Sequence, residues 1–452
     1  MDNAANMENR HQFTWKEVGA LIIPLIVEQA LSILIGMADT MMVSSSGEAA
    51  VSAVSIIDNL SVLLTTAFSA FATGGAVVVS QYLGAKNRQK AKDTAKNLVY
   101  LTLGFSLLIL LILIPFRRQV IDLIYGMIAP DVRSHAMDYL FFIALSYPFL
   151  ALYSAFAALS RSEKRSTRTM LVSALMNILN ITGNAILIYR FNLSAKGAAI
   201  SSLIARATGA LIMFSLMMRE KEVLNIRGIA KGPISSELIR KILRIAIPAA
   251  IEGSLFNVGK LLLMRLIASL GTSATAIHAV ICNFNSFTNI PGNGINLSIV
   301  TIVGQCRGRD NFKDIKYYTW HLIALSFIST FAVSLPLFIF APGIISFYGL
   351  ESASAAEALP LARICAVACM VLWPLSFGPP QMLEACGDVR FNLIASISSI
   401  WIFRIAGAYF MVRCLGMGVE AIWYGMYADW GARSIIFTSR IISGKWKDKK
   451  VI

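Results

Sequence analysis

Fixed charge is scarce in this chain. Only 14% of its 452 residues are Asp, Glu, Lys or Arg, whereas 56% are hydrophobic and the mean hydropathy is +0.67. A soluble domain of ordinary composition carries about 25% charged residues, so a soluble globular protein of this length is excluded. The six cysteines all fall in the second half and form no Cys-x-x-Cys pair. Cys365 and Cys369 share a helix face and read as small packing residues, not as a metal site. Met1–Arg10 lack a cleavable signal pattern, so the first apolar segment is expected to stay as an anchor. A phosphate loop is missing too. Gly253–Leu261 imitates one, but five residues separate its glycines where four are needed, and Leu261 stands where a hydroxyl is required. No nucleotide-driven engine is expected; any driving force comes from an ion gradient, unless transport is passive.

What the chain has instead is long apolar runs, such as Leu98–Phe116 and Ile315–Phe340. In lipid only helices or closed barrels satisfy the backbone, and runs of this length read as helices. Helices are predicted near 17–43, 53–82, 94–116, 134–159, 167–189 and 197–219, and again near 239–269, 276–305, 316–340, 357–383, 391–413 and 419–442. The expected fold class is an all-α polytopic membrane protein with twelve transmembrane helices.

The chain is also duplicated. Pro24, Glu28, Gly47, Gln81, Gly84 and Asn87 reappear 224 residues later as Pro248, Glu252, Gly271, Gln305, Gly308 and Asn311. Two six-helix lobes are therefore expected, over 1–218 and 238–452, joined by a polar linker over 219–237. Six is even, so both lobes enter the membrane from one side, related by a pseudo-twofold axis along its normal. Pro24 and Pro248 sit at equivalent depths. Each either hinges its helix or leaves a static kink.

The net charge of +15 is a matter of placement. Lys86, Arg88, Lys90 and Lys92 follow the second span, and Arg161, Lys164, Arg165 and Arg168 the fourth. Arg219, Lys221, Arg227 and Lys231 follow the sixth, and Arg307, Arg309, Lys313 and Lys316 the eighth. Positive loops stay inside, so both termini are expected in the cytoplasm, with the lipid bilayer and not nucleic acid as the partner.

Ionisable and amide side chains at membrane depth mark candidate sites. Asp39 is the clearest. It can exchange a proton, hold a bare cation with neighbouring oxygens, or simply bond a neighbouring helix; its repeat counterpart is the apolar Leu263. Asn177, Asn180 and Asn184 offer amides on the fifth span, either as packing glue or as part of an ion site with Asp39. Glu28 and Glu252 are repeat mates suited to substrate contact or to local capping. Asn285, Asn289, Asn293 and Asn296 form a stripe read as cavity lining. Lys260, Arg265, Arg363, Arg404, Asp429 and Arg433 add charge to spans of the second half. An unpaired Lys260 facing the cavity disfavours purely cationic substrates.

Three segments carry a family resemblance. Ile23-Pro24-Leu25-Ile26-Val27-Glu28-Gln29 followed by Gly36-Met37-Ala38-Asp39-Thr40 resembles the opening of MATE (multidrug and toxic compound extrusion) transporters. Ser80–Arg88, with its second copy Gly304–Gly308, resembles that family's loop after the second span. Leu383–Asp388 is similar to its loop after the tenth. The resemblance implies a central cavity and export of amphipathic organic compounds against inward flow of H⁺ or Na⁺. It also implies a monomeric bacterial inner-membrane protein that is not an enzyme, has no bound metal or cofactor, and takes a small-molecule substrate. Asp39 and Asn180 match the family's carboxylate and asparagine, while Asn184 stands where many members have aspartate. The acids of the NorM-like branch are missing: Phe256 occupies the seventh-helix position, and the tenth span has no aspartate. Coupling is therefore expected in the first lobe. An alternative is a flippase or exporter of lipid-linked or anionic amphipathic metabolites, using the basic second half. A major-facilitator carrier shares the repeat geometry but lacks its loop motif after Leu83, and a membrane receptor or scaffold predicts binding without ion-coupled flux.

Overall fold

A computed structural model describes residues 11–126, 128–219, 223–227 and 234–452. Met1–Arg10, and Lys221 and Lys231 of the linker, lie outside the described residues. Among those described there is no strand. Helices α1 (Trp15–Ser44), α2 (Glu48–Gly84), α3 (Arg88–Tyr125), α4 (Pro130–Ser162), α5 (Ser166–Asn184) and α6 (Ser194–Met217) make up the first repeat. The second repeat has α7 (Ser236–Ala268), α8 (Thr272–Thr288), α9 (Ile290–Gly308), α10 (Phe312–Ile339) and the short α11 (Ala341–Phe347). It continues with α12 (Ser352–Val371), α13 (Trp373–Ala385), α14 (Val389–Ser399), α15 (Gly407–Leu415) and α16 (Glu420–Ser443). Ten of the described helical segments are long and apolar enough to cross a membrane. The other two spans are α8–α9 and α16. Twelve spans result, and the protein is a multi-pass membrane protein.

Two spans expected to be continuous are broken. Pro291 has no N–H to give α8, so that helix stops at Thr288 and a new one starts with Pro291 in its first turn. Pro374 plays the same part between α12 and α13. Two others carry π-helical turns: α5 passes into Ala185–Arg190, and α14 joins α15 through Ile400–Ala406. Such turns widen the helix locally and recur at functional sites.

The repeat is visible in local geometry. Gly47 and Gly271 end the first turn of each copy with φ of 98° and 105°. Lys86 and its mate Asp310 take φ of 58° and 52°. Directly after them, Asn87 accepts from Lys90 N at 3.0 Å and Asn311 accepts from Asp314 N at 3.1 Å, each capping the helix that follows.

The chain packs as two compact units. One comprises Val27–Val79 and Asn87–Ser254. The other comprises Leu255–Ile452 with residues up to Ile26 and Ser80–Lys86. Both divisions of the long helices fall shortly after the repeated proline, inside α1 and inside α7. The start of α1 joins the second unit because Phe13 and Tyr318 exchange hydrogen bonds at 2.9 and 2.7 Å, and His11 meets Asp314 at 2.8 Å. Leu21, Ile22 and Leu25 continue the contact into a core with Ile299, Val303 and Leu322. In the same unit Gly84 lies against the Gln305 carbonyl and Gly308 against the Gln81 carbonyl, a reciprocal crossing in which any β-carbon would meet backbone.

The first unit is packed as lipid requires. Helix α3 buries Thr94, Asn97, Thr102 and Ser106 on its inner side and leaves Leu108, Leu111 and Ile112 exposed on the other. Small polar groups permit close helix contact, and large aliphatic ones face the acyl chains.

Candidate functional site

Asp39 lies on α1 in the first unit, half-buried, with two hydrogen-bonded neighbours from α5. Asn184 Nδ2 donates to Asp39 Oδ1 at 2.6 Å. With its amide nitrogen turned to the carboxylate, Asn180 donates to both carboxylate oxygens, at 2.7 and 3.2 Å, and its oxygen accepts from Ser202 Oγ at 3.1 Å. The opposite amide orientation sets oxygen against oxygen and is disfavoured. Ser201 Oγ bonds the Asn180 carbonyl at 2.7 Å, which ties α6 to α5 at this level.

The spacing explains the arrangement. Asn180 and Asn184 are one helical turn apart, so both project from one face of α5 towards α1. Asn184 is also the last residue before the π turn, where the helix bulges. An ionised carboxylate away from bulk water needs donors, and the two amides supply them. An aspartate at position 184 would instead need a proton or cation shared with Asp39. Asn184 removes that need.

Two cavities meet at Asp39. The larger, about 260 Å³, is lined by Thr40, Val54, Asp58, Tyr139, Ser202 and Arg206 among others. The smaller, about 150 Å³, is lined by Met176, Asn177, Asn180 and Ala205, and shares Asp39, Ser202 and Arg206 with the first. Tyr139 donates to Asp58 at 3.2 Å, and Arg206 donates to Ser146 Oγ at 2.7 Å. The lining thus holds two carboxylates and one guanidinium. It suits a proton or a cationic group.

Sequence reasoning flagged Asp39, Asn180, Asn184 and Asn177, and the fold brings all four to this place. It missed Asp58, Tyr139, Ser202 and Arg206. Asp58 and Arg206 had a signal, because each is a charge within an apolar span, the criterion that selected Asp39. Tyr139 and Ser202 had none.

The other candidates lie elsewhere. Glu28 lines neither of these cavities; it accepts from Thr169 Oγ1 at 2.9 Å, with Arg161 Nη1 3.7 Å away. Glu252 is half-buried on α7 in the same unit. In the second unit Asn289 donates to Asn285 at 2.9 Å across the α8–α9 break, and Cys369 Sγ lies 3.4 Å from Asn285 Oδ1. These amides hold a helix joint together. Asn293 is half-buried one turn further on, and Lys260 is exposed. Pro24 and Pro248 both lie inside continuous helices.

The MatE family model matches residues 24–186 and again 248–410, two stretches separated by the same 224 residues as the repeat. A probable multidrug resistance protein NorM of Thermotoga maritima is 26% identical over 445 residues, covering 97% of this chain and 94% of that one. A multidrug export protein MepA of Staphylococcus haemolyticus is 22% identical, with 83% of this chain and 82% of that one covered. Among solved structures, a multidrug resistance MATE family transporter in an outward-facing conformation matches 96% of this chain and 97% of its own, with a TM-score of 0.88 at 19% identity. A doubled family match, twelve spans and near-complete coverage by these relatives agree: the chain belongs to the MATE family of transporters and is not an enzyme.

Proposed function

We propose that this protein is a secondary active exporter of amphipathic organic compounds, driven by inward flow of H⁺, with Asp39 as the coupling acid. The observation that carries this reading is the orientation of the two amides around Asp39. Asn184 presents N–H to the carboxylate, and Asn180 is assigned the same orientation because it then satisfies its Asp39 and Ser202 contacts together. A bare Na⁺ needs oxygens turned inward, whereas a proton needs only the carboxylate itself. Protonation removes the charge that the amides compensate, which loosens α1 from α5. That change is local to one unit and biases a two-state equilibrium between inward and outward access. Bends at Pro24 and Pro248 give α1 and α7 the freedom to follow. The names of the NorM and MepA relatives support drug export as the physiological direction. The reading places the chain in a bacterial inner membrane as a monomer, with both termini in the cytoplasm.

The test is ethidium efflux from proteoliposomes under separately imposed gradients. A pH gradient alone is expected to drive efflux, a Na⁺ gradient alone to leave it at the passive rate, and Asp39→Asn to abolish the gradient-driven part. Normal gradient-driven efflux by folded Asp39→Asn would remove Asp39 from the mechanism.

A further inference from the structure

The second unit holds a charge cluster that the acid site of the first does not use. Asp429 on α16 is completely buried. Arg404 Nη2 lies 2.8 Å from its Oδ2, Arg433 Nε lies 3.7 Å from its Oδ1, and Ser399 Oγ donates to Oδ1 at 2.6 Å. One carboxylate therefore serves two guanidiniums. Lys260 on α7 adds a third cation. Its ammonium stands 5.0 Å from the centroid of the Phe256 ring, and the Arg404 guanidinium carbon is 5.3 Å from that same centroid. No carboxylate lies within ion-pair distance of Lys260 among the described residues. The Lys260 side chain is exposed, whereas Arg404 is buried and its Nε has no hydrogen-bond partner.

The spans involved are the repeat mates of those that build the Asp39 site. The first unit places an acid on α1 and a base, Arg206, on α6. The second places a base, Lys260, on α7 and an acid, Asp429, on α16. In each unit a π-helical turn in the intervening span accompanies the cluster: Ala185–Arg190 follows Asn184, and Ile400–Ala406 carries Arg404. The polarity is reversed. Two acids and one base line the first site, while in the second Lys260 and Arg404 share one aromatic ring, with Asp429 as the acid paired to Arg404. Excess positive charge at low dielectric is costly unless an anion neutralises it. An exposed ammonium, backed by a guanidinium with an unused N–H and by an aromatic ring, is suited to a carboxylate, sulfonate or phosphate on an aromatic body.

We propose that Lys260 and Arg404 form an anion subsite in the second unit, which takes the acidic group of a zwitterionic or anionic amphipath. This deepens the exporter reading above and rests on it for the direction of transport, although binding itself does not depend on ion coupling.

The probes are a matched pair, 1-anilinonaphthalene-8-sulfonate and its neutral parent N-phenyl-1-naphthylamine. Binding is followed by energy transfer from protein tryptophan, with full-length protein in phosphatidylcholine nanodiscs and empty discs subtracted. The sulfonate is expected to bind about tenfold more tightly than the parent, as loss of one charge-assisted contact predicts. Lys260→Gln should remove that preference without changing affinity for the parent, and Lys260→Arg should keep it. Equal affinity of the two probes for the unaltered protein, or a preference that survives Lys260→Gln, would overturn the proposal. Discs containing phosphatidylglycerol distinguish two sources of the acidic group. Competition by that lipid assigns the subsite to a lipid headgroup, and unchanged sulfonate affinity assigns it to a soluble organic anion; either result upholds the subsite. Gradient-driven ethidium efflux is measured on the same preparations. Intact efflux with no sulfonate preference rejects the subsite alone, and a sulfonate preference with no efflux rejects the exporter reading alone.

Discussion

Asn184 donates its amide to Asp39 at 2.6 Å, joining two spans whose residues are 145 positions apart in the chain. The contact depends on an amide being there. With Asn184→Asp, two carboxylates face each other and must share a proton or hold a cation. The expected outcome is a variant whose thermal stability rises in Na⁺ relative to choline, while the unaltered protein does not respond. Melting followed by tryptophan fluorescence in the two salts decides it.

The reciprocal crossing of Gly84 with Gln305 and of Gly308 with Gln81 leaves no space for a side chain. Gly84→Ala and Gly308→Ala should each destabilise by about 1–3 kcal/mol or more, because the obstructing atoms are backbone and cannot rotate away. Gly104, where an added β-carbon would meet no atom within 4 Å, is the control. Gly104→Ala should leave the melting temperature unchanged or slightly raised. A drop as large as that of Gly84→Ala would show that helix propensity or insertion, and not the crossing, is being measured.

Asp429 is wholly buried and holds Arg404 at 2.8 Å. Asp429→Asn leaves buried guanidinium charge without its counter-ion, at a cost of about 3–5 kcal/mol. Adding Arg404→Gln should restore part of that loss, since the second change removes the uncompensated charge. A double variant whose destabilisation equals the sum of the two single changes would mean the pair is not coupled. Denaturation of all three variants against the parent provides the cycle.

Asn87 and Asn311 cap equivalent helices with nearly identical bonds, 3.0 and 3.1 Å. Replacing either with Ala should cost about 1 kcal/mol, and replacing either with Asp or Ser much less. Local hydrogen exchange at Lys90 and Asp314 N–H should quicken in the Ala variants only.

Much of this is legible in the chain itself. Scarcity of charge and long apolar runs require membrane helices, because backbone groups in lipid must be bonded within their own segment. The 224-residue offset requires a duplicated unit, and the paired turns at Gly47 and Gly271 and the paired caps at Asn87 and Asn311 are local chemistry repeating itself. Asp39, Asn180 and Asn184 stand out as polar groups in apolar helices, and Asp58 and Arg206 meet the same criterion. The breaks before Pro291 and Pro374 are also open to sequence reasoning, because proline cannot extend the preceding helix.

The sequence determined which segments cross the membrane, where the duplication lies and which side chains are too polar for lipid. These follow from composition, spacing and backbone chemistry within single segments. Tertiary structure alone decided what each polar group meets: Asn184 at Asp39, Glu28 at Thr169, and Arg404 and Lys260 over one phenylalanine ring. It also decided that the start of α1 packs with the second unit. A helix specifies its own faces, but the partner of each face depends on how distant helices pack, and no local pattern encodes that.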